Sequence, residues 1–390
     1  MEVGDAPSSQ LLLNLEIETS STDILESTTA SCKTSGGDGH VQVKLYAAQP
    51  PRISSLRVCC SGSLSASEPY IVATGFNIIL LAVALRKGKP RYKYLVYRLA
   101  PAKAASSLEF LPDLVSSSIS LDDSNTGILI CPGNHYLVAA LLYTSSPGEY
   151  NLHLYSSKTR DWIRKPTMFY ENQKHMRYFH SNNKVITVGG QAGTMAWVDL
   201  WHGILLCDVL SDDSELRYIT LPPPLLPDNE LQGCPRSTRD IAFVSGRINY
   251  LEVKSSLRPT GKQNYISDGW TAAKWSISPG ENTWQDDFRF EASKISVKDQ
   301  LEDYRLLPEL RDDDGKAQKP LVRLHTGHPT LSLKEVHVVY LMAKENYMDE
   351  KAWVLAIDMR NKSLQGVAEF TADRVPGFCY TYTHLRVSEI

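Results

Sequence analysis

The sequence predicts an all-β protein of propeller type, with about six blades of three to four antiparallel strands and few short helices. Three observations carry that expectation. Residues 196–221 alternate apolar, β-branched and aromatic runs with turn chemistry at His202-Gly203 and Ser211-Asp-Asp-Ser214, which is the pattern of a three-strand meander. Pro222-Pro223-Pro224 then ends the pairing, because three successive prolines donate no amide hydrogens. Groups of this kind recur at intervals of about 40 to 60 residues, the spacing of propeller blades. Finally, a tryptophan opens a strand just past a polar turn at Trp162 and again at Trp284, where it can cover the hairpin and pack between blades. A β-sandwich can also carry aromatic residues after turns and is the rival architecture.

In chain order, residues 11–17 and 40–46 alternate as half-buried strands, and the Ser/Thr/Gly-rich stretch 20–39 reads as a mobile loop. Strands follow at 71–73, 78–85 and 92–99, then at 127–131, 136–143, 150–155 and 162–165. The third group runs from Lys184 through the meander. A hairpin at 240–244 and 247–253, turning at Ser245-Gly246, is joined by 271–277 and 284–290, and the last group is 335–342, 352–358 and 364–370. Leu301, Tyr304 and Leu307 have helical spacing, but Pro308 confines that helix to about two turns. The charged stretch 311–320 has no hydrophobic period and reads as a solvated loop. Residues 1–10 are expected to be disordered and 11–390 to form a single propeller-like domain.

Composition narrows the possible partners. The 390 residues are 42% hydrophobic with a formal net charge of -3, and the pI is about 6.4. That balance gives no global attraction to phosphate backbones or anionic membranes. The segment 70–85 is interrupted by Gly75 and Asn77 and falls short of the roughly 20 apolar residues of a spanning helix, so a buried strand pair is expected there. Seven cysteines, among them the adjacent Cys59-Cys60, form no Cys-x-x-Cys pair and suggest a reducing compartment. Glu2 and Asp5 occupy the start in place of a basic secretory leader, so the expected location is cytoplasmic or nuclear and not secreted.

Several longer motifs resemble a known family. Trp197-Val-Asp-Leu-Trp-His-Gly203, Cys234-Pro-Arg-Ser-Thr-Arg-Asp240, Leu324-His-Thr-Gly-His-Pro-Thr330 and Trp353-Val-Leu-Ala-Ile-Asp358 are similar to the plant family filed as domain of unknown function 1618. Tyr97-Arg-Leu-Ala-Pro101 and residues 150–162 resemble the region that precedes that domain. The signature region is about 195–370, and in strand style the chain also resembles F-box-associated and kelch-like propellers. The resemblance implies an expanded plant set, especially in grasses, and transfers no activity. His202 stands where that family's motif would carry arginine. Trp197, Asp199, Trp201, Arg239, Asp240, His325 and His328 are the candidate signature or interaction residues.

Other local features have structural readings beside chemical ones. His325 and His328 offer two imidazoles but no nearby acidic or thiol partner at metal-site spacing, and are expected to fix the loop before Pro329. Cys59 and Cys60 on a strand would face opposite sides. Gly189-Gly190-Gln-Ala-Gly193 lacks the strand, helix and Lys context of a phosphate loop. Asp122-Asp123, Asp212-Asp213 and Asp286-Asp287 read as solvated turn formers. The basic run 86–93 fits a hairpin turn or a nucleic-acid patch, and residues 221–227 a rigid connection between blades or a polyproline ligand. No Gly-x-Ser-x-Gly elbow is present.

The expected function is therefore a non-enzymatic protein-binding or scaffold module, with partners that are proteins and without cofactor, metal or membrane. The alternative is a propeller-type hydrolase or carbohydrate-active enzyme with an axial site. A second alternative is nucleic-acid contact through residues 86–93.

Overall fold

The continuous apolar run that begins at Ile78 is buried on both faces, and that burial explains the architecture. In the strand Ile78–Leu85, Ile79, Leu81 and Val83 enter one core with Val41, Val43, Leu56 and Val58. Ile78, Leu80 and Ala82 enter a second core with Tyr136, Val138 and Ala140. A strand alternates its side chains between the two faces of its sheet, so a run apolar at every position marks a sheet packed on both sides. His135–Tyr143 repeats the device: Tyr136, Val138 and Ala140 face the second core, and Leu137, Ala139 and Leu141 face a third with Trp197, Leu205 and Cys207.

In a computed structural model, the chain is described from residue 8 to 388 apart from 21, 25–28, 35, 86–91, 101–104, 115–119, 147, 169–179, 226–232, 260–264, 298–300, 312–315, 347 and 372–381. It divides into two compact units, the first comprising Met1–Ala47, Ser54–Thr220 and Tyr382–Ile390, the second Ala48–Ile53 and Leu221–Thr381.

The first unit holds four sheets. In the first sheet the order is Tyr382–Ser388, Ser8–Asn14, Ile53–Gly62, Gly39–Tyr46 and Ala30–Lys33, with Glu18–Ser20 parallel to Ile53–Gly62. Leu11 lies opposite Leu385, so the last described strand of the chain pairs with the first. The second sheet is Leu64–Gly75, Ile78–Leu85, Tyr92–Arg98 and Ser107–Phe110; the third is Thr126–Cys131, His135–Tyr143, Glu149–Ser156 and Asp161–Met168. Lys184–Gly189, Thr194–Asp199, Gly203–Asp208 and Leu216–Thr220 make the fourth.

The second unit holds the fifth sheet, Arg239–Val244, Arg247–Pro259, Tyr265–Ile277 and Gln285–Glu291. Its sixth sheet is His325–Leu331, Val338–Lys344, Lys351–Asp358 and Ser363–Thr371, edged by Ser296–Val297. These two share one core, with Leu251, Val253 and Phe290 meeting Val339, Leu341 and Leu355. Six sheets of four to six strands, five of them built on four-strand meanders, give the all-β, propeller-type class that the sequence predicts. The described helices are short: Pro320–Arg323 and 3-10 turns at Pro235–Ser237, Ala292–Lys294 and Glu302–Leu306. None is long and apolar enough to cross a membrane.

Buried tryptophans lock connecting segments onto these sheets. The indole N–H of Trp162 donates to the Pro112 carbonyl at 2.9 Å, Trp197 to Asn125 at 2.7 Å, Trp270 to Leu321 at 3.0 Å and Trp353 to Leu306 at 2.8 Å. Each ring buries a large apolar body while its one donor is satisfied. Trp162 lies in the core between the second and third sheets, as its position past the turn suggests.

Four expectations need correction. Asp286-Asp287 is not a solvated turn but part of the strand Gln285–Glu291, where Asp287 pairs with the buried Lys274. The stretch 20–39 is not all loop, because Ala30–Lys33 pairs with Gly39–Tyr46 and buries Ala30. The segment containing His325 and His328 is a strand, His325–Leu331, with its register shifted between Gly327 and Thr330; a bulge lets Pro329 sit within it. Ser8 to Gln10, expected to be disordered, pair with Ser388 to Arg386. In the last three cases the hydrogen bonds of a neighbouring strand order a segment whose own apolar pattern is weak.

Candidate functional site

The candidate residues fall into two groups, one in each unit. Asp199 ends the strand Thr194–Asp199 and is almost wholly buried. Its Oδ1 accepts from the amides of Trp201 (2.9 Å) and His202 (3.2 Å), and its Oδ2 from the amide of Ser181 (2.9 Å). The ring Nδ1 of His202 lies 2.9 Å from Oδ2. An aspartate that caps its own turn in this way fixes the backbone, so Asp199 organises the Trp201-His202 turn. Asp358 does the same in the sixth sheet, accepting from the amides of Arg360 and Asn361. His180 stands beside this hub, its Nε2–H donating to the Trp197 carbonyl at 3.2 Å. Burial pulls its imidazole down to about 4, against an opposing pull from the Asp199 charge.

In the second unit, Arg239 Nη2 lies 3.1 Å from Glu252 Oε1, with both side chains withdrawn from solvent. The other carboxylate oxygen accepts from the Leu225 amide at 3.1 Å. Asp240 Oδ2 accepts from the Leu331 amide at 2.8 Å and so ties the fifth sheet to the sixth. His325 Nε2 lies 3.0 Å from the Tyr265 carbonyl, and burial lowers its pKa. His328 occupies the bulge with φ 46°. Among the described residues, no group of three or more His, Cys, Asp or Glu side chains is placed to hold a metal ion. Residues 86–91 of the basic run lie outside the described residues, as do the last two positions of 221–227; Lys93 pairs with Asp113 at 2.5 Å.

A concave site lies elsewhere, at the turns of the second and third sheets. It is a cleft of about 260 Å³ lined by residues 76–78, 98–100, Ala105, Ser107, Ile130, Asn134 and His135. Two tight turns shape it. Phe76-Asn77 joins Gly75 to Ile78, with Asn77 at φ 55°. Pro132-Gly-Asn134 joins Cys131 to His135, with Asn134 at φ 61°. Asparagine tolerates this left-handed backbone better than other residues with a side chain. The two sheets approach closely at Gly75, where a Cβ would stand 2.9 Å from Ile128 Cγ2.

Arg98, the last residue of Tyr92–Arg98, pairs along the strand with Ile78 and sends its side chain to the second turn. Its Nη1 donates to the Asn134 carbonyl and to Asn134 Oδ1, each at 3.1 Å. Its guanidinium carbon stands 5.3 Å from the Tyr136 ring centroid, a cation–π distance. The Tyr136 hydroxyl donates to Glu109 Oε1 at 3.0 Å, and burial together with the Glu109 charge raises its pKa. In the sequence Arg98 stands only within the family-like segment Tyr97–Pro101, with no motif of its own. The Gly133-Asn134 pair was a legible turn signal, but its partnership with an arginine 36 positions earlier is tertiary.

Comparison with known proteins gives one family-model match, over part of the chain. Residues 197–340 match the family model described as Protein of unknown function (DUF1618). The match begins at Trp197 and takes in the Asp199 turn, the Arg239–Glu252 pair and both histidines of the sixth sheet; the cleft at 76–135 lies before it. Comparison with curated proteins finds no match. Among solved structures, a hypothetical selenium-binding protein from Sulfolobus tokodaii is 10% identical with a TM-score of 0.34, covering 77% of this chain and 65% of its own. This chain thus spans less than two thirds of that protein. A putative glycoside hydrolase from Parabacteroides distasonis is 12% identical with a TM-score of 0.30, covering 81% and 89%. An α-L-arabinanase from Penicillium chrysogenum, complexed with arabinobiose, is 9% identical with a TM-score of 0.31, covering 78% and 92%. Likeness this distant carries neither substrate nor activity to this chain.

Proposed function

We propose that this chain is a protein-binding module and that the cleft between the turns of the second and third sheets is its recognition site. The observation that carries this reading is the cleft's construction. Apolar Phe76, Ile78, Leu99 and Ile130 share one concavity with Arg98, Asn77, Asn134 and Ser107. Recognition sites combine an apolar wall with a few placed polar groups. The supporting sheets are packed on both faces, so the strand ends and turns are the surfaces left for partners, held on a rigid scaffold. A volume of about 260 Å³ is below the roughly 300 to 1,000 Å³ of small-molecule sites and suits one or two side chains of a peptide. The buried polar groups of Asp199, Asp240 and Glu252 hold the fold's own backbone amides, which leaves the cleft as the better candidate. The setting we infer is a reducing intracellular compartment, supported by reduced thiols at Cys32, Cys59, Cys131 and Cys207.

A random-peptide display selection on the full chain tests this reading, with Ala105→Trp as the blocked control. Ala105 is exposed at the cleft, so the substitution obstructs the site without entering a core. Enriched peptides that lose binding to the blocked variant are expected. Absence of any enriched sequence, or binders indifferent to the block, would overturn the proposal.

A further inference from the structure

We infer that the cleft takes a carboxylate, the side chain of a glutamate or aspartate in an extended peptide, and that Arg98 grips it. The inference rests on the peptide-binding reading and names what is read. Arg98 is the one formally charged side chain among the residues that line the cleft. Its guanidinium is fixed before any ligand arrives, through Nη1 to two oxygens of Asn134 and through its face to Tyr136.

Those contacts use one of its three nitrogens. Among the described residues, no hydrogen bond or ion pair engages Nε or Nη2, and this is the edge that a carboxylate meets with two parallel N–H···O bonds. The carboxylate of Glu109 is held through the Tyr136 hydroxyl and by Arg160 at 4.0 Å. A planar fork held in one orientation loses little freedom on binding, whereas a lysine ammonium would supply charge without the two-point geometry. Phe76, Leu99 and Ile130 beside it suit an apolar residue adjacent to the acid.

Asn134 is a positioning residue in this scheme. Glycine at 134 would keep the φ of 61° and the carbonyl acceptor while removing Oδ1, so it would loosen the fork without deleting it.

The test uses the full chain and two display libraries of internal random peptides that differ only in one fixed central residue, glutamate or glutamine. On the native chain the glutamate library should enrich at least tenfold over the glutamine library. That preference should vanish in Arg98→Gln, be reduced in Arg98→Lys, and fall severalfold in Asn134→Gly. Melting curves of each variant establish that it is folded. Should Arg98→Gln fail to fold, Arg98→Lys decides, since the inference requires it to lose most of the preference despite its retained charge. Equal enrichment from both libraries on the native chain, or an unchanged glutamate preference in a folded Arg98 variant, would sink the carboxylate inference and leave the binding reading standing. Failure of both libraries to enrich would remove the binding reading and this inference together.

Discussion

Replacing Glu252 by glutamine should unfold the second unit at markedly lower denaturant, because it takes a carboxylate away from a buried cation. The Arg239 and Glu252 side chains are 1% and 0% exposed and meet at 3.1 Å. Glutamine keeps the volume, so no cavity contributes. The loss has two parts. Removing the negative charge leaves a guanidinium in a place water cannot reach, which costs about 3 to 5 kcal/mol when one member of a buried pair is deleted. The new amide also turns an NH₂ toward one of the two donors now served by carboxylate oxygens, Arg239 or the Leu225 amide, a mismatch of about 1 to 3 kcal/mol that overlaps the first part. We expect a total of about 4 kcal/mol. Urea titration followed by tryptophan fluorescence reads it directly, since Trp270 and Trp275 lie buried in the same sheet. The double variant Arg239→Met/Glu252→Gln removes both charges and should recover at least half of the loss. A single-variant cost below about 1 kcal/mol, or a double variant equal to the sum of the singles, would refute the reasoning.

Three further outcomes are expected. His180 is held down to about 4 in the fold against an ordinary 6.5, so the unfolded chain takes up its proton first as the pH falls. Stability is then fully present above 6.5 and drops between 6.5 and 4 by up to about 3 kcal/mol; urea midpoints across that range should fall less steeply in His180→Gln than in the native chain. Gly203→Ala would place a Cβ 2.3 Å from the Tyr218 ring, and overpacking of this kind should cost about 1 to 3 kcal/mol in the same titration. Trp353→Phe removes the donor to the Leu306 carbonyl and trims a core ring, so the midpoint should drop by about 1 to 3 kcal/mol equivalent.

Much of the fold was legible because sheets packed on both sides write themselves as unbroken apolar runs. Ile78-Ile-Leu-Leu-Ala-Val-Ala-Leu85 and His135-Tyr-Leu-Val-Ala-Ala-Leu141 announce central strands, and Trp162 past its turn announces a ring between sheets. Edge strands were less legible. Ala30–Lys33 and Tyr382–Ser388 owe their order to ladder bonds from neighbours, and no local periodicity reports who the neighbour will be. The same limit applies to function. Trp197, Asp199, Arg239 and Asp240 are conspicuous in the sequence, yet in the structure their polar groups bond to the fold's own loops and neighbouring strands. Arg98 is inconspicuous, and becomes a candidate only once tertiary packing sets it against Asn134 and Tyr136.

Hydrogen–deuterium exchange of the full chain, with and without a display-selected acidic peptide, tests the central claim most directly. Protection should rise at residues 76–78, 98–100 and 133–136, with no comparable change at 197–221 or 325–331. Protection confined to those latter segments, or absent from all of them at saturating peptide, would contradict recognition at the Arg98 cleft.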